Sequence, residues 1–370
     1  MQIKILQQDL IGPLQSVLRS VGVKATLPVL GNILFEAEGN KLKLSATNLE
    51  VGVIKFVNAE VLEGGAITIP AKTFTEVISS LTGLEIELET SGESLNIKAG
   101  KFKADLNCIA ASEFPAIPQT ETSGFKIPKE IFKDSIPQIS FASAVDEGRP
   151  VLTGILTEIK EGKFEVVATD GFRLAHKTFS DEKLAGINFK ALIPKRTLDE
   201  LVRLINEETG DFSEITVTTT DNQNQVVFGI GNSILSSRLI EGNFPTWDKI
   251  IPSKFVSNAV INRDELIKGL KLASVFARSE ANVIKLMISP SGIQLTSETR
   301  ELGHQDAQVE AIVEGEELEV AFNSRYLLDA VSSCPGPEQK IYFSGSLSPT
   351  LIKPVKEEGV EYIVMPIRIN

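Results

Sequence analysis

Along this chain apolar residues keep a two-residue period in some stretches and a helical period in others. Phe164, Val166 and Ala168 alternate with Glu165, Val167 and Thr169, the period of a strand with one buried face. Asp170-Gly171 breaks the run, because glycine accepts backbone angles other residues avoid and aspartate caps turns through its side chain. Phe172 to Ala175 resumes it, so Lys163 to Lys177 is predicted to be strand, turn, strand, with Arg173 and Leu174 leaving the turn side by side.

The pattern occurs three times. LKLSATNLEVGVI opens at Leu42, FEVVATDGFRLAHK at Phe164 and IQLTSETRELGHQD at Ile293. A helical segment follows each copy: IPAKTFTEVISSL from Ile69, IPKRTLDELVRLI from Ile193 and AFNSRYLLDAVSSC from Ala321. Another precedes each: LQQDLIGPLQSVLRSVG, IPKEIFKDSIPQISFA and INRDELIKGLKLASVFA. The hairpins and the helices that follow them recur at a spacing of about 120–130 residues, the size of a domain and far longer than a solenoid repeat. Within each unit the order is strand, helix, hairpin, second helix and more strands, an α+β pattern. Units 1–119, 120–248 and 249–370 are expected, with the proline-bearing segments 112–124 and 241–254 as connectors. Phe114-Pro115 and Phe244-Pro245 mark the same phase in both connectors. Asn262 and Glu265 read as a capping box and Thr197 as an N-cap; Pro13 and Pro137 predict a kink or a late helix start.

The 370 residues, 42% hydrophobic and 23% charged, suit two or three globular domains. No run of eighteen or more apolar residues occurs, and MQIKILQQDL lacks a signal-peptide layout, so no membrane span and a cytoplasmic location are expected. Cys108 and Cys334 fit no metal or redox spacing, in keeping with a reducing compartment. His176 and His304 lie in no nucleophile motif, and no clustered metal ligands or Walker loop occur, so no enzyme and no cofactor are expected. Trp247 reads as connector packing.

A net charge of −12 speaks against nucleic acid. Yet Lys72, Arg196 and Arg325 each stand two residues after Pro70, Pro194 and Asn323, where a helix begins. A cation there opposes the helix dipole at a cost of roughly 0.3–1 kcal/mol. Three at one repeat phase either serve solubility or await an anion such as phosphate. Lys268, Lys271 and Arg278 share one side of a predicted helix. The chain ends on EYIVMPIRIN, where Met365 and Pro366 suggest an edge or exposed position beside the Arg173-Leu174 turn, hence a groove for an apolar peptide.

TLPVLGNILFEAEGNKLKLSATNLEVGV, RPVLTGILTEIKEGKFEVVATDGFRLA, EGNFPTWDKIIP and VMPIRI together resemble the bacterial DNA polymerase III β subunit family, the sliding clamps, over the whole chain and in order. The resemblance implies three clamp domains, each with two helices lining a central hole and antiparallel sheets outside, in a head-to-tail homodimeric ring around duplex DNA. A ring held by topology needs no tight phosphate grip, which reconciles the acidic total with a basic lining. The lining implied is Lys24, Lys72, Arg149, Lys195, Arg196, Lys268, Lys271 and Arg325. The groove implied is Leu152, Thr169, Gly171, Phe172, Arg173, Leu174, Pro245, Lys249, Ile250, Ile363, Val364, Met365, Pro366, Ile367 and Arg368. It would take short peptides ending in Leu and Phe from polymerase, clamp loader and repair proteins.

For ring closure the match points to Lys101, Lys103 and Leu106 against Val275 and Phe276. Ala104 replaces a bulky residue there, Pro150-Val151 replaces the family's aromatic pair, and Asn370 extends one residue past the usual end. The function implied is a non-catalytic processivity factor of the DNA-directed DNA polymerase holoenzyme. A three-unit peptide-binding scaffold that never encircles DNA is the alternative.

Overall fold

In a computed structural model of the chain, residues 1–22, 27–119, 124–146, 148–220, 224–278, 281–299 and 303–368 are described. Lys24 and Asn370 therefore lie outside the described residues. The described α-helices are α1 (Gln7–Leu18), α2 (Ala71–Ser80), α3 (Lys129–Ile139), α4 (Lys195–Glu207), α5 (Arg263–Ala277) and α6 (Ser324–Ser333), two per sequence repeat. None is long and apolar enough to cross a membrane. The chain forms two compact units, Met1–Phe132 with Glu200–Leu239, and Lys133–Asp199 with Ile240–Asn370; α3 and α4 run through the division.

The first unit holds two antiparallel sheets. One orders its strands Glu60–Glu63, Gln2–Leu6, Glu85–Ser91, Ser94–Ala99, Phe102–Asn107. The other runs Phe125–Pro128, Glu214–Thr219, Gln225–Ile230, Ser233–Arg238, Val51–Asn58, Lys41–Thr47, Asn32–Glu38, Gly65–Pro70. Helices α1 and α2 pack on each other, and α1 lies against the Lys41–Thr47 and Val51–Asn58 strands. The helical period places Leu10, Leu14 and Val17 on one fully buried stripe, and Phe74 of α2 meets Phe35 edge-on at 5.3 Å.

The second unit has a nine-stranded antiparallel sheet: Phe189–Pro194, Gly154–Lys160, Lys163–Thr169, Arg173–Ser180, Val360–Val364, Thr350–Pro354, Glu338–Phe343, Ser257–Asn262, Ala311–Gly315. A four-stranded sheet runs Gly303–Val309, Gly292–Thr299, Val283–Ser289, Leu318–Asn323. Helix α5 packs on α6 and on the Gly292–Thr299 and Gly303–Val309 strands; α6 also meets the Val360–Val364 strand.

Each unit adds the last strand of one repeat to the hairpin of the repeat before it. Ser233–Arg238 pairs with Val51–Asn58 through Ile234 and Ile54, and Val360–Val364 pairs with Arg173–Ser180 through Ile363 and Leu174.

Helix starts depart from two expectations. Strands end at Pro70, Pro194 and Asn323 and the helix begins at the next residue, so Thr197 is a fully buried third residue of α4 and not its cap. Helices α1 and α3 begin ahead of Pro13 and Pro137, which overturns a late start. An interior proline forfeits one backbone hydrogen bond; in α1 its lost partner is the carbonyl of exposed Asp9, which water reaches, while burial of Leu10, Leu14 and Val17 holds the helix. At α5, Asn262 Oδ1 accepts from the N–H groups of Asp264 (3.0 Å) and Glu265 (3.1 Å), as its capping role predicts.

Candidate functional site: an apolar groove beside a locked turn

The turn between the Lys163–Thr169 and Arg173–Ser180 strands is fixed by its own side chains. Thr169 Oγ1 donates to the Arg173 carbonyl (2.7 Å) and accepts from the Gly171 N–H (3.1 Å). Asp170 Oδ1 accepts from the N–H groups of Phe172 (2.8 Å) and Arg173 (3.0 Å). Gly171 has φ +92°, which favours glycine, and a Cβ there would stand 3.0 Å from Arg149 Nη1. Arg149 Nη2 donates to the Asp170 carbonyl at 2.9 Å.

Asp170 Oδ2 also takes the Nε–H of Arg173 (3.0 Å), whose Nη1 reaches Asp329 of α6 (2.5 Å). The guanidinium lies over the Tyr326 ring at 4.6 Å and that of Phe141 at 5.2 Å, and the Phe172 ring stacks on Tyr326 at 6.2 Å. The cation is thus spent on holding the turn to α6. Its charge is matched, and its planar face is covered by aromatic rings.

Beside this turn lies an apolar floor of Leu156, Val167, Leu174, Leu192, Leu351 and Ile363, with Val151, Ile240, Phe244, Trp247, Ile251 and Tyr342 half-buried against it. Of the groove residues expected from sequence, Leu174 and Ile363 belong to that floor. Leu152, Thr169 and Val364 are buried as support. Arg173, Met365, Pro366 and Ile367 are half-buried; Gly171, Phe172, Pro245, Lys249, Ile250 and Arg368 are exposed. The Met365 N–H donates to the Phe172 carbonyl (2.9 Å) and that of Ile367 to Ala321 (2.7 Å), which pins the terminal segment across the turn. The expected edge is corrected: Val360–Val364 is an inner strand between two neighbours, and Pro366 follows its end, where no ladder bond is required of it.

Sequence reading missed Tyr326, Asp329, Phe141 and Tyr342. Tyr326 adjoins Arg325, singled out for its charge, and a helical neighbour gave no sign of facing the turn.

One further group adjoins the floor. His176, buried, places Nε2 3.2 Å from Glu165 and Nδ1 3.3 Å from Glu361, and its ring lies 4.6 Å from that of Trp247. Burial disfavours the imidazolium, but the hydrogen bonds it donates to Glu165 and Glu361 outweigh it and its pKa is raised. Both carboxyls are held down at about 2, chiefly by their hydrogen bonds to His176.

The expected lining cations are mostly exposed: Lys72, Arg196 and Arg325 at the second positions of α2, α4 and α6, and Lys268 and Lys271 on α5. Lys195 is paired with Asp199 at 2.5 Å, and Arg149 serves the groove turn as described. Lys103 and Leu106 lie on Phe102–Asn107, an edge strand of its sheet, with Lys101 just before it. Val275, 48% exposed, and Phe276 lie in the last turn of α5, which packs on another edge strand, Gly303–Val309. The thiols of Cys108 and Cys334 are pushed up by burial to about 11 and about 12, and among the described residues no cluster of His, Cys, Asp and Glu fits a metal.

Three descriptions of one family match consecutive stretches of the chain: the DNA polymerase III beta subunit N-terminal domain over residues 1–118, its central domain over 126–246 and its C-terminal domain over 248–368. The chain is 31% identical over 389 residues to the beta sliding clamp of Synechocystis sp., covering 98% of each, and 29% identical over 384 residues to that of Bacillus subtilis, covering 100% of each. Among solved structures it is similar to the Bacillus subtilis clamp (27% identity, TM-score 0.94) and to a Pseudomonas aeruginosa clamp solved with griselimycin bound (28% identity, TM-score 0.93), covering all of each chain.

Proposed function

The chain belongs to the DNA polymerase III beta subunit family, and on that premise we propose that two copies close head to tail into a ring around duplex DNA. As a sliding clamp it is a processivity factor without catalysis of its own.

The strand pairing supports the ring. In repeats one and two the hairpin receives the last strand of the next repeat. Among the described residues the third hairpin ends at Gly303–Val309, an edge strand, and the last strand of repeat one, Phe102–Asn107, is an edge strand as well. Adding that strand from a second copy repeats the same junction at the third position and closes the circle. Lys101, Lys103, Leu106, Val275 and Phe276 then form the closing contact. The domains are 1–119, 120–248 and 249–370. Lys24, Lys72, Arg149, Lys195, Arg196, Lys268, Lys271 and Arg325 are assigned to the DNA side, where loose, exchangeable phosphate contacts permit sliding.

The groove holds peptides ending in Leu and Phe, by which the polymerase, the clamp loader and repair proteins are tethered, in the cytoplasm. Its apolar floor between a locked turn and a pinned terminal segment is the observation that carries this assignment. Two measurements test the proposal. Clamp loaded onto nicked circular DNA should stay through gel filtration and be lost after linearisation; equal loss from both forms eliminates the ring. Replacing Leu174 and Met365 by aspartate should abolish titration by a Leu-Phe peptide while sedimentation still reports a dimer; unchanged titration removes the groove assignment.

A further inference from the structure

On the sheet face that carries the groove floor, Leu174, Ile363 and Leu351 stand in register across three neighbouring strands. Two residues along each strand, on the same face, come His176, Glu361 and Lys353, with Glu165 on the strand beyond. An ionic row therefore runs directly beside the apolar one. Trp247 spans both, packing on the floor with its ring tilted by 39° over that of His176 at 4.6 Å.

We propose that His176 is a positioning residue of the groove: as an imidazolium clamped by Glu165 and Glu361 it holds Trp247 over the floor, so that peptide affinity falls when rising pH removes its proton. The inference rests on the groove being the peptide site. Only the imidazolium donates from both ring nitrogens at once; the neutral ring has one N–H and turns a lone pair toward the other carboxylate. The charged ring also attracts the indole face more strongly than the neutral ring does. The surrounding charges hold the clamp in place: Lys163 lies 2.8 Å from Glu165 and Lys353 2.5 Å from Glu361. Lys177 faces the other side of the sheet, toward Gln138, and Asp248 and Lys249 beside Trp247 are exposed. The raised pKa puts the loss of the proton above the ordinary value of 6.5.

Trp247 is the single tryptophan of the chain, so its emission reports this contact without a label. Wild type and His176→Gln are titrated from about pH 5.5 to 9.5, reading Trp emission and, in parallel, anisotropy of a rhodamine-labelled, uncharged hexapeptide ending in Leu-Phe. The expected result is one wild-type transition above pH 6.5, with emission rising as the quenching imidazolium disappears, and a Kd that weakens roughly three- to tenfold across it. His176→Gln should show neither change and bind at the weaker level throughout. A wild-type emission that stays flat, a transition that survives His176→Gln, or a Kd that ignores the transition overturns the inference, and the wild-type titration alone suffices for the first and third. If the emission transition occurs but no peptide binds at any pH, the groove reading is what has failed, and the inference falls with it.

Discussion

The hairpin turns of repeats one and two have the same wiring and opposite fates. Thr47 and Asn48 bond as Thr169 and Asp170 do: Thr47 Oγ1 donates to Val51 O (3.0 Å) and accepts from Leu49 N (3.0 Å), while Asn48 Oδ1 accepts from Glu50 N (3.0 Å) and Val51 N (2.8 Å). Both turns then receive a strand from the next repeat. Counting from the shared Ala-Thr, Gly52 stands for Leu174 and Ile54 for His176; across the ladder Ser236 stands for Ile363 and Ile234 for Glu361.

In the first unit Ile117 of the connector presses onto this place. A Cβ on Gly52 would lie 2.8 Å from its side chain, and Ile54, Ile234 and Val227 seal the patch beside it. In the second unit the connector supplies Trp247 from the corresponding position, and large apolar residues form a floor that is only partly covered. A shared backbone junction is thus a plug in one copy and a groove in the other. Side-chain size at Gly52 or Leu174, and charge at Ile54 or His176, make the difference.

Substitutions that exchange these features test the comparison most strongly. Leu174→Ala should cost about 2–5 kcal/mol in chemical denaturation and weaken peptide binding at least about tenfold. Gly52→Leu should cost about 1–3 kcal/mol by overpacking against Ile117, with peptide binding at the groove of the other unit unchanged. If Gly52→Leu proves neutral, the plug is not tightly packed and the contrast loses its basis.

Acid should separate the two junctions next. The depressed carboxyls of Glu165 and Glu361 contribute stability that is present above pH 4.5 and lost as pH falls toward about 2. His176, with a raised pKa, contributes below pH 6.5 and loses its contribution as pH rises through the folded value. Hydrogen exchange of the Arg173–Ser180 strand should therefore quicken at both ends of the pH range, by an opening free energy of roughly 2 kcal/mol at the acid end. The Val51–Asn58 strand, with Ile54 and Ile234 in the equivalent places, should lack this dependence on pH.

The smallest effects belong to the turns. Asp170→Asn keeps the wiring that Asn48 already demonstrates but gives up the ion pair to Arg173, for about 1 kcal/mol and a few-fold loss in peptide affinity. Asn48→Asp should stay within about 0.5 kcal/mol, since Val51 offers no cation. Equal losses from both would mean that Asp170 acts through the turn alone.

Much of this was legible in the residue order. Three copies of helix, hairpin and helix follow from repeated apolar periods, because strand and helix each impose a fixed spacing on buried positions. The Asp170-Gly171 turn was legible too, its hydrogen bonds spanning no more than four residues. What lay out of reach comes from elsewhere in the chain: Tyr326 and Asp329 that seize Arg173, Tyr342 at the rim, and the helix start that moved Thr197 inside α4. Local pattern states which face of an element is buried, but not which distant segment buries it. Whether the connector residue at a junction plugs the recess or walls it is decided by volumes and charges arriving from several strands at once, and only tertiary packing brings those together.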